Sequence, residues 1–452
     1  MTSMHAEVSG SAVTGGHRSR LITALLLCVC GFAFTVYVFD PGVMTIDARY
    51  VYTDMTKNFL GDWQSPVMTV AWRLIDPIAP GSRSLFLLDV ALYWLAFGLM
   101  TMTLARYSWM AIVLPLLAVS PPAFVLVGII WRDVLFAGAW ILAAALIFAA
   151  HDSARSPRRW AQLIAAALLI FGVLLRPNAI PAAPLLAAYI YWPGRWRLKQ
   201  TLAVYLPTFI VLVAIVPFFY YTLLGATRQH PLHGLLVFDL GGISHFTKQN
   251  QFPVSWPPDQ MRLLLDGCYK ADKWDGYWYL EPCKFVMAKL EGEKIFGTTQ
   301  LTNSWLKAVW RHPVAYVRHR LTFMRSFLTG TNLVMWTQDI NDPSKLVFSD
   351  RPVFSWFLQT QEKWRSSWIF KPATWLVLCV ALIGLAWRDR ATNAGAFVFG
   401  TCGAGAVYVA SYLAFGVASD YRYAYFAVLA ALAGIAVVLT RAVAPSDVSD
   451  KA

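Results

Sequence analysis

The chain has 452 residues, of which 58% are apolar and only 14% charged, with 28 Phe, 20 Trp and 19 Tyr. Soluble domains carry roughly 25% charged residues, so this composition excludes an ordinary soluble protein and points to a polytopic membrane protein. The formal charge of +13 needs no nucleic-acid partner, because basic residues gather in cytoplasmic loops and attract anionic lipid headgroups.

Ten apolar runs follow one another, at about 21–39, 85–105, 109–127, 133–150, 160–176, 179–193, 201–220, 373–388, 394–415 and 422–441. Each is read as a crossing of a bilayer core about 30 Å thick, which takes roughly 20 helical residues. The first run is longer than a signal-peptide core and no small-residue cleavage site stands out, so it reads as an anchor. Arg18 and Arg20 precede it; Arg106 follows the second run, and Arg155, Arg158 and Arg159 the fourth. Arg195, Arg197 and Lys199 follow the sixth run, Arg388 and Arg390 the eighth, and Arg441 ends the tenth. All these clusters fall on one side, so the positive-inside rule places both termini in the cytoplasm.

That parity divides the chain into a tail (1–20), a transmembrane module (21–220) with an outer loop (40–84), an outer domain (221–372), C-terminal transmembrane helices (373–441) and a second tail (442–452). The expected fold is an all-α bundle of about ten membrane helices carrying interfacial helices in its first outer loop and a small mixed extracytoplasmic domain. Within that domain, "NSWLKAVWRHPVAYVRHRLTFMRSF" (303–327) reads as one amphipathic helix, with Arg318, Arg320 and Arg325 on its basic surface. No repeat or low-complexity tract is visible.

The outer loop contains "PGVMTIDARYVYTDMTKNFLGDWQSP" (41–66), three carboxylates in a chain with few. On a helix, Ala48, Tyr52, Met55 and Phe59 share one face, while Asp47, Asp54 and Asn58 share the other. Thr45 is the expected N-cap and Asp47 sits in the first turn, where a carboxylate suits the helix dipole. Ser65 and Pro66 open a second helix carrying Met68, Trp72 and Ile75, and "GDWQSP" with Asp62 forms the turn between them. These acids could simply solvate an interfacial helix. Against that reading, the same outer side collects Arg132 and Asp133 in "IIWRDVLF", Arg176 and Asn178 in "LLRPNAIP", and Asp420, Arg422 and Tyr423 in "ASDYRYAYF". Ionisable groups near membrane depth tend to face a cavity or a partner. The plainer alternatives are an N-cap role for Asp133, snorkelling for Arg176 and Arg422, and a cap or ion-pair role for Asp420.

His312 and the other histidines lack metal-ligand spacing, and there is no phosphate loop or nucleophile elbow. Cys28, Cys30, Cys379 and Cys402 fall in apolar runs, whereas Cys268 and Cys283 are an isolated pair in the outer domain and are expected to form a disulfide.

The order "PGxxxxD…DWxSP…DPIAPG…LFLLDVALYW", "WRDVLFA", "LLRPNA", "HPVAYVRHRL" and "DYRYAYF" resembles membrane glycosyltransferases of the GT-C class. It is most similar to the bacterial branch with O-antigen glucosyltransferases, lipid A aminoarabinose transferase and protein O-mannosyltransferases. The resemblance implies a sugar donor on polyprenyl phosphate, an acceptor that is a cell-envelope glycan, a glycolipid or a protein, and a site on the periplasmic face of a bacterial inner membrane. It also implies that Asp47 is the catalytic acid of the first outer loop; by their chemistry, a carboxylate there suits a general base and guanidinium forks suit phosphate oxygens, so Arg176 and Arg422 are expected on the donor phosphate with Arg132 behind them. Asp54 then shapes the acceptor pocket or holds a metal, Asp62 fastens the turn, and Asp133, Asn178 and Tyr423 support the site. The chain departs from the class pattern at Ala48, where many relatives have a second acid, and at Gln64 and Ser65, where they have His before the Pro. No cofactor is required by these residues; a divalent metal is left open, with Asp54 or Asp133 as its second ligand. Two other readings fit the same class of sequence: a lipid or sugar transporter or flippase, and a polysaccharide ligase on a similar bundle.

Overall fold

A computed structural model describes residues 4–152, 158–331, 333 and 351–443. Arg155, residues 334–350 and the tail beyond 443 lie outside the described residues. The helices, in order, are α1 (Met4–Phe39), α2 (Ile46–Thr56), α3 (Pro66–Ile75), α4 (Ser82–Leu104), α5 (Val113–Ala118), α6 (Pro121–Val127), α7 (Arg132–Asp152), α8 (Arg158–Leu175), α9 (Ala183–Tyr191) and α10 (Leu198–Pro217). They continue with α11 (Pro231–Thr247), α12 (Pro258–Asp266), α13 (Asp275–Trp278), α14 (Phe285–Gly292), α15 (Thr299–Arg311), α16 (Pro313–Thr329), α17 (Pro352–Trp364), α18 (Pro372–Leu385), α19 (Asn393–Phe415) and α20 (Tyr425–Val443). Seven of them, α3, α6, α11, α12, α16, α17 and α18, begin on proline, whose missing N–H would have no intrahelical partner there anyway.

All ten apolar runs contain helix, but they differ in reach. Among the described residues, six helices are long and apolar enough to cross a membrane: His17–Phe39, Ser82–Leu104, Arg132–Asp152, Leu198–Leu223, Asn393–Phe415 and Tyr421–Arg441. α5 and α6 form a bent pair, with 51° between their axes, and the helices Arg159–Leu175 and Pro372–Leu385 are shorter. α9 has nine residues, about 13 Å of helix, so helix alone does not carry the run at 179–193 across a bilayer core. A 3-10 turn at Pro177–Ala179 makes up part of the distance.

The ends of these helices gather in two layers. At one, Arg20 donates to the carbonyls of Arg106 and Tyr107, Tyr107 bonds Asp152, Gln162 donates to the Ile190 carbonyl, and Asn393 donates to the Phe148 carbonyl. At the other, Arg83 pairs with Asp40, Ser65 donates to the Leu174 carbonyl at 2.9 Å, and Phe370 stands edge-on to Tyr421. Between the layers the core is aromatic and aliphatic; Trp140 of α7, for example, meets Phe426 of α20 edge to face at 5.0 Å, a favoured ring geometry.

One small feature sets the register of the second layer. Residues Val43–Met44 (β1) pair in parallel with Ile129–Ile130 (β2). Asp47 follows β1 by three residues and Arg132 follows β2 by two, so this two-residue ladder brings the start of α2 beside the start of α7.

Residues 231–329 form a helical subdomain of α11 to α16, with Cys268 and Cys283 joined by a disulfide, their Cα atoms 5.6 Å apart. The expected mixed character is absent among the described residues, where only single bridges (Gly61 with Thr227, Lys273 with Ala418) occur outside the ladder. The single amphipathic helix expected at 303–327 is two helices, broken between Arg311 and Pro313, because proline can neither donate to the preceding turn nor fit beside it. The expected basic surface is also divided. Arg320 lies about 200° around the helix from Arg318 and is buried, bonding Asp239 and the Gly416 carbonyl.

Candidate active site

Thr45 caps α2, its hydroxyl accepting from the Ala48 N–H at 3.2 Å. Ala48, Val51 and Met55 are buried, which turns Asp47 away from the apolar face. Its carboxylate remains 39% exposed and has two partners: Arg422 Nη1 at 2.7 Å on Oδ2 and Gln64 Nε2 at 3.2 Å on Oδ1. Burial pushes the Asp47 carboxyl up, but the attraction and hydrogen bond of Arg422, helped by Arg132 and Arg176, outweigh it and hold the group below its usual range. Asp47 is therefore ionised at neutral pH.

Arg422 lies just before α20 in a 3-10 turn capped by Asp420, whose Oδ1 accepts from the Arg422 N–H at 3.0 Å. Its guanidinium also meets Asp420 Oδ2 at 3.3 Å and Asp133 Oδ2 at 4.0 Å, and lies 4.5 Å from the centre of the Trp131 ring. Asp420 has its carboxyl pushed up to about 6, mainly by burial and partly by the carboxylates of Asp133 and Asp47, against the pull of Arg422. Arg176, at the end of α8, donates through Nε and Nη2 to Asp133, with the Nε bond at 2.6 Å. It also sits over the Tyr423 ring at 5.0 Å. Tyr423 stacks on Tyr412, and Tyr412 accepts from Asn178 at 3.0 Å.

Three carboxylates (Asp47, Asp133, Asp420) thus face three guanidiniums (Arg132, Arg176, Arg422). Arg132 stands apart. It is half-buried and within electrostatic reach of Asp47, Asp133, Arg176 and Tyr423, yet among the described residues no hydrogen bond or ion pair engages it. An arginine with five donors and no bonded partner among the described residues is a ready binder of phosphate oxygens.

Two of the expected residues stand off. Asp54 lies two turns along α2 from Asp47, about 10 Å by helical rise; burial raises its carboxyl and only Lys57 opposes that. Asp62 is buried and structural: Tyr221 donates to Oδ2 at 2.7 Å and the Gln229 N–H to Oδ1 at 2.5 Å. The backbone beside it runs so close to Gln229 that a Cβ on Gly61 would come 2.2 Å from Oε1. Ser65 caps α3 and is tied to α8. The residues present do not suit a divalent ion. Both Asp47 oxygens accept from donors, Asp133 and Asp420 are held by arginine, and among the described residues no three His, Cys, Asp or Glu side chains converge as ligands.

Sequence reasoning passed over Gln64, Asp275 and Tyr279. Gln64 registered only as a departure from a pattern, and it turns out to hold Asp47. Asp275 and Tyr279 lie on the 272–279 segment, which hydrogen-bonds to the residues leading into Arg422: Trp274 N–H donates to Val417 O at 3.0 Å and Ser419 N–H to Asp272 O at 2.6 Å. Compared with known proteins, the chain matches no family model, and the comparisons found no matching curated protein or solved structure.

Proposed function

We propose that the protein is an integral membrane glycosyltransferase that moves a sugar from polyprenyl phosphate to an acceptor hydroxyl outside the cytoplasm. The observation that carries this reading is the partly exposed Asp47 carboxylate held by Arg422 beside Arg132, a guanidinium without a bonded partner among the described residues. In the proposed topology the chain crosses the membrane about ten times with both termini in the cytoplasm, and residues 221–372 form the extracytoplasmic domain. The basic residues Arg106, Arg195, Arg197, Arg388 and Arg390 then mark the cytoplasmic layer.

In the resting state Arg422 keeps Asp47 ionised but also weakens it as a base. A donor phosphate competes for the same guanidinium. Arg132 and Arg422 take its oxygens, Asp47 is released, and its basicity rises. Asp47 then removes the proton of the acceptor hydroxyl as that oxygen bonds to the anomeric carbon. The bond from carbon to the phosphate oxygen breaks and its electron pair leaves with polyprenyl phosphate, whose second negative charge the arginines stabilise. Arg176, locked by Asp133, positions Tyr423 and the Arg422 turn. A transporter would place its charges near mid-membrane, in broken helices of related halves; here they gather at one end of the bundle. Purified protein in lipid nanodiscs, given polyprenyl-phosphate sugar and a cell-envelope extract, should yield a new glycoside and free polyprenyl phosphate by mass spectrometry. Donor translocation without a new glycoside would refute the reading, and joining of a whole polysaccharide chain would identify a ligase instead.

A further inference from the structure

The disulfide Cys268–Cys283 closes a loop whose middle is pinned to the chain just before Arg422. Lys273 pairs with Ala418 in an antiparallel bridge, flanked by the Trp274 to Val417 and Ser419 to Asp272 hydrogen bonds. This loop reaches across to the first outer loop: Trp278 lies 4.9 Å from Trp63, ring centre to ring centre, and stacks on Trp274 at 5.4 Å with 13° between planes. Trp63 immediately precedes Gln64, the residue that holds Asp47. Trp63 and Trp278 are half-buried and Tyr279 is 56% exposed. Asp275 is within electrostatic reach of both Arg422 and Asp47, and Tyr279 of Asp47 and of the exposed Tyr50 on α2.

Near Asp47, therefore, stand a packed aromatic group, Trp278 with one face on Trp274 and with Trp63 beside it, and a second carboxylate. A sugar ring has that same duality, an apolar face of C–H groups and an equatorial rim of hydroxyls, so it can lie on an aromatic plane while a carboxylate accepts from its rim. A lipid chain would find a carboxylate in its path, and covering a charge with hydrocarbon is unfavourable. We infer that the disulfide loop is the acceptor platform and that the acceptor is a saccharide, its ring seated on Trp278 and Trp63 with a hydroxyl donating to Asp275. The inference rests on the glycosyltransferase reading for its meaning, though not for its test.

The experiment is saturation-transfer NMR on the full-length protein in lipid nanodiscs, free of sugar detergents. The probes are the α- and β-methyl glycosides of glucose, galactose, mannose and N-acetylglucosamine. At least one should bind through its ring C–H protons. That signal should fall about tenfold or more in Trp278→Ala and in Asp275→Asn. A melting temperature near wild type for Asp275→Asn shows that the loss is not unfolding. If no glycoside binds, or both loop variants bind as the wild type does, the platform is refuted while the transferase reading stands. If glycosides bind through Trp278 but no transfer from polyprenyl-phosphate sugar occurs, the platform stands and the transferase reading falls.

Discussion

Asp47 and Asp239 both sit between an arginine and a neutral donor, yet Asp47 is 39% exposed and Asp239 is sealed. Asp239 of α11 holds Arg320 and His319 of α16, accepts from Trp305 of α15 at 2.8 Å, and Tyr269 bonds the far side of the His319 ring at 3.0 Å. Arg320 in turn donates to the Gly416 carbonyl at the end of α19. Burial holds the His319 imidazole below its usual range despite Asp239 beside it. The same residue types thus make a clamp in one place and a candidate site in the other. What separates them is spare capacity: the Asp239 cluster joins three helices to the bundle with its members facing one another, whereas the Asp47 cluster keeps an open carboxylate edge and an arginine without a bonded partner among the described residues.

The largest effect that tests this contrast is on stability. Asp239→Ala strips a buried arginine of its counter-charge, and such losses run to about 3–5 kcal/mol; a thermal melt in nanodiscs should show severe loss or no folded protein. Asp47→Ala, at an exposed edge, should change stability by less than about 1 kcal/mol. Equal destabilisation would erase the distinction. Next comes the disulfide. The bridged residues are 15 apart, and a loop of that length is worth about 3 kcal/mol in the chain-entropy account, so Cys268→Ser should lower the melting temperature and reductant should add nothing further. A smaller effect is expected at Arg132. Replacing it by Gln breaks no ion pair, so stability should hold, while loss of one charged contact to phosphate should raise the donor KM about tenfold. An unchanged KM would remove Arg132 from the donor site.

The pH response has a defined sign. Asp420 binds its proton more tightly in the folded chain, with a pKa of about 6, than in the unfolded chain at about 3.9. Between those values the folded state holds the extra proton, so this group makes stability fall as pH rises, by at most about 1.4 kcal/mol per pH unit. Melting temperatures from pH 4 to 7 should therefore decline more in the wild type than in Asp420→Asn. The least effect is expected at Asp54, where the Asn variant should transfer sugar within about twofold of wild type. A dead Asp54→Asn would move the chemistry along α2.

Much of the scaffold was legible in the sequence because crossing a bilayer demands composition over about 20 residues, which a single chain displays. Thr45 and Ser65 were legible as caps for a similar reason: the signal is local. What stayed hidden depends on contacts across the chain. Arg176 and Asp133 are 43 residues apart and meet only because α7 and α8 run antiparallel, and β1 and β2 are two residues each, too short for any alternation to register. Arg320 resembled its surface neighbours until helical phase was taken residue by residue. Pro313 sat inside an amphipathic pattern that runs on across the break, so the pattern concealed it. The short α9 was hidden because hydropathy counts apolar residues and is blind to the turn that interrupts them.

The central claim is that Asp47 takes the acceptor proton, and the most direct measurement is the rate of sugar transfer by Asp47→Asn in nanodiscs, with donor binding and melting temperature recorded on the same preparation. The asparagine keeps the shape and removes the basicity, so the account predicts wild-type folding, donor affinity retained or improved as Arg422 is freed, and a rate lower by about 10²-fold or more. Transfer at the wild-type rate by a folded, donor-binding Asp47→Asn protein would contradict it.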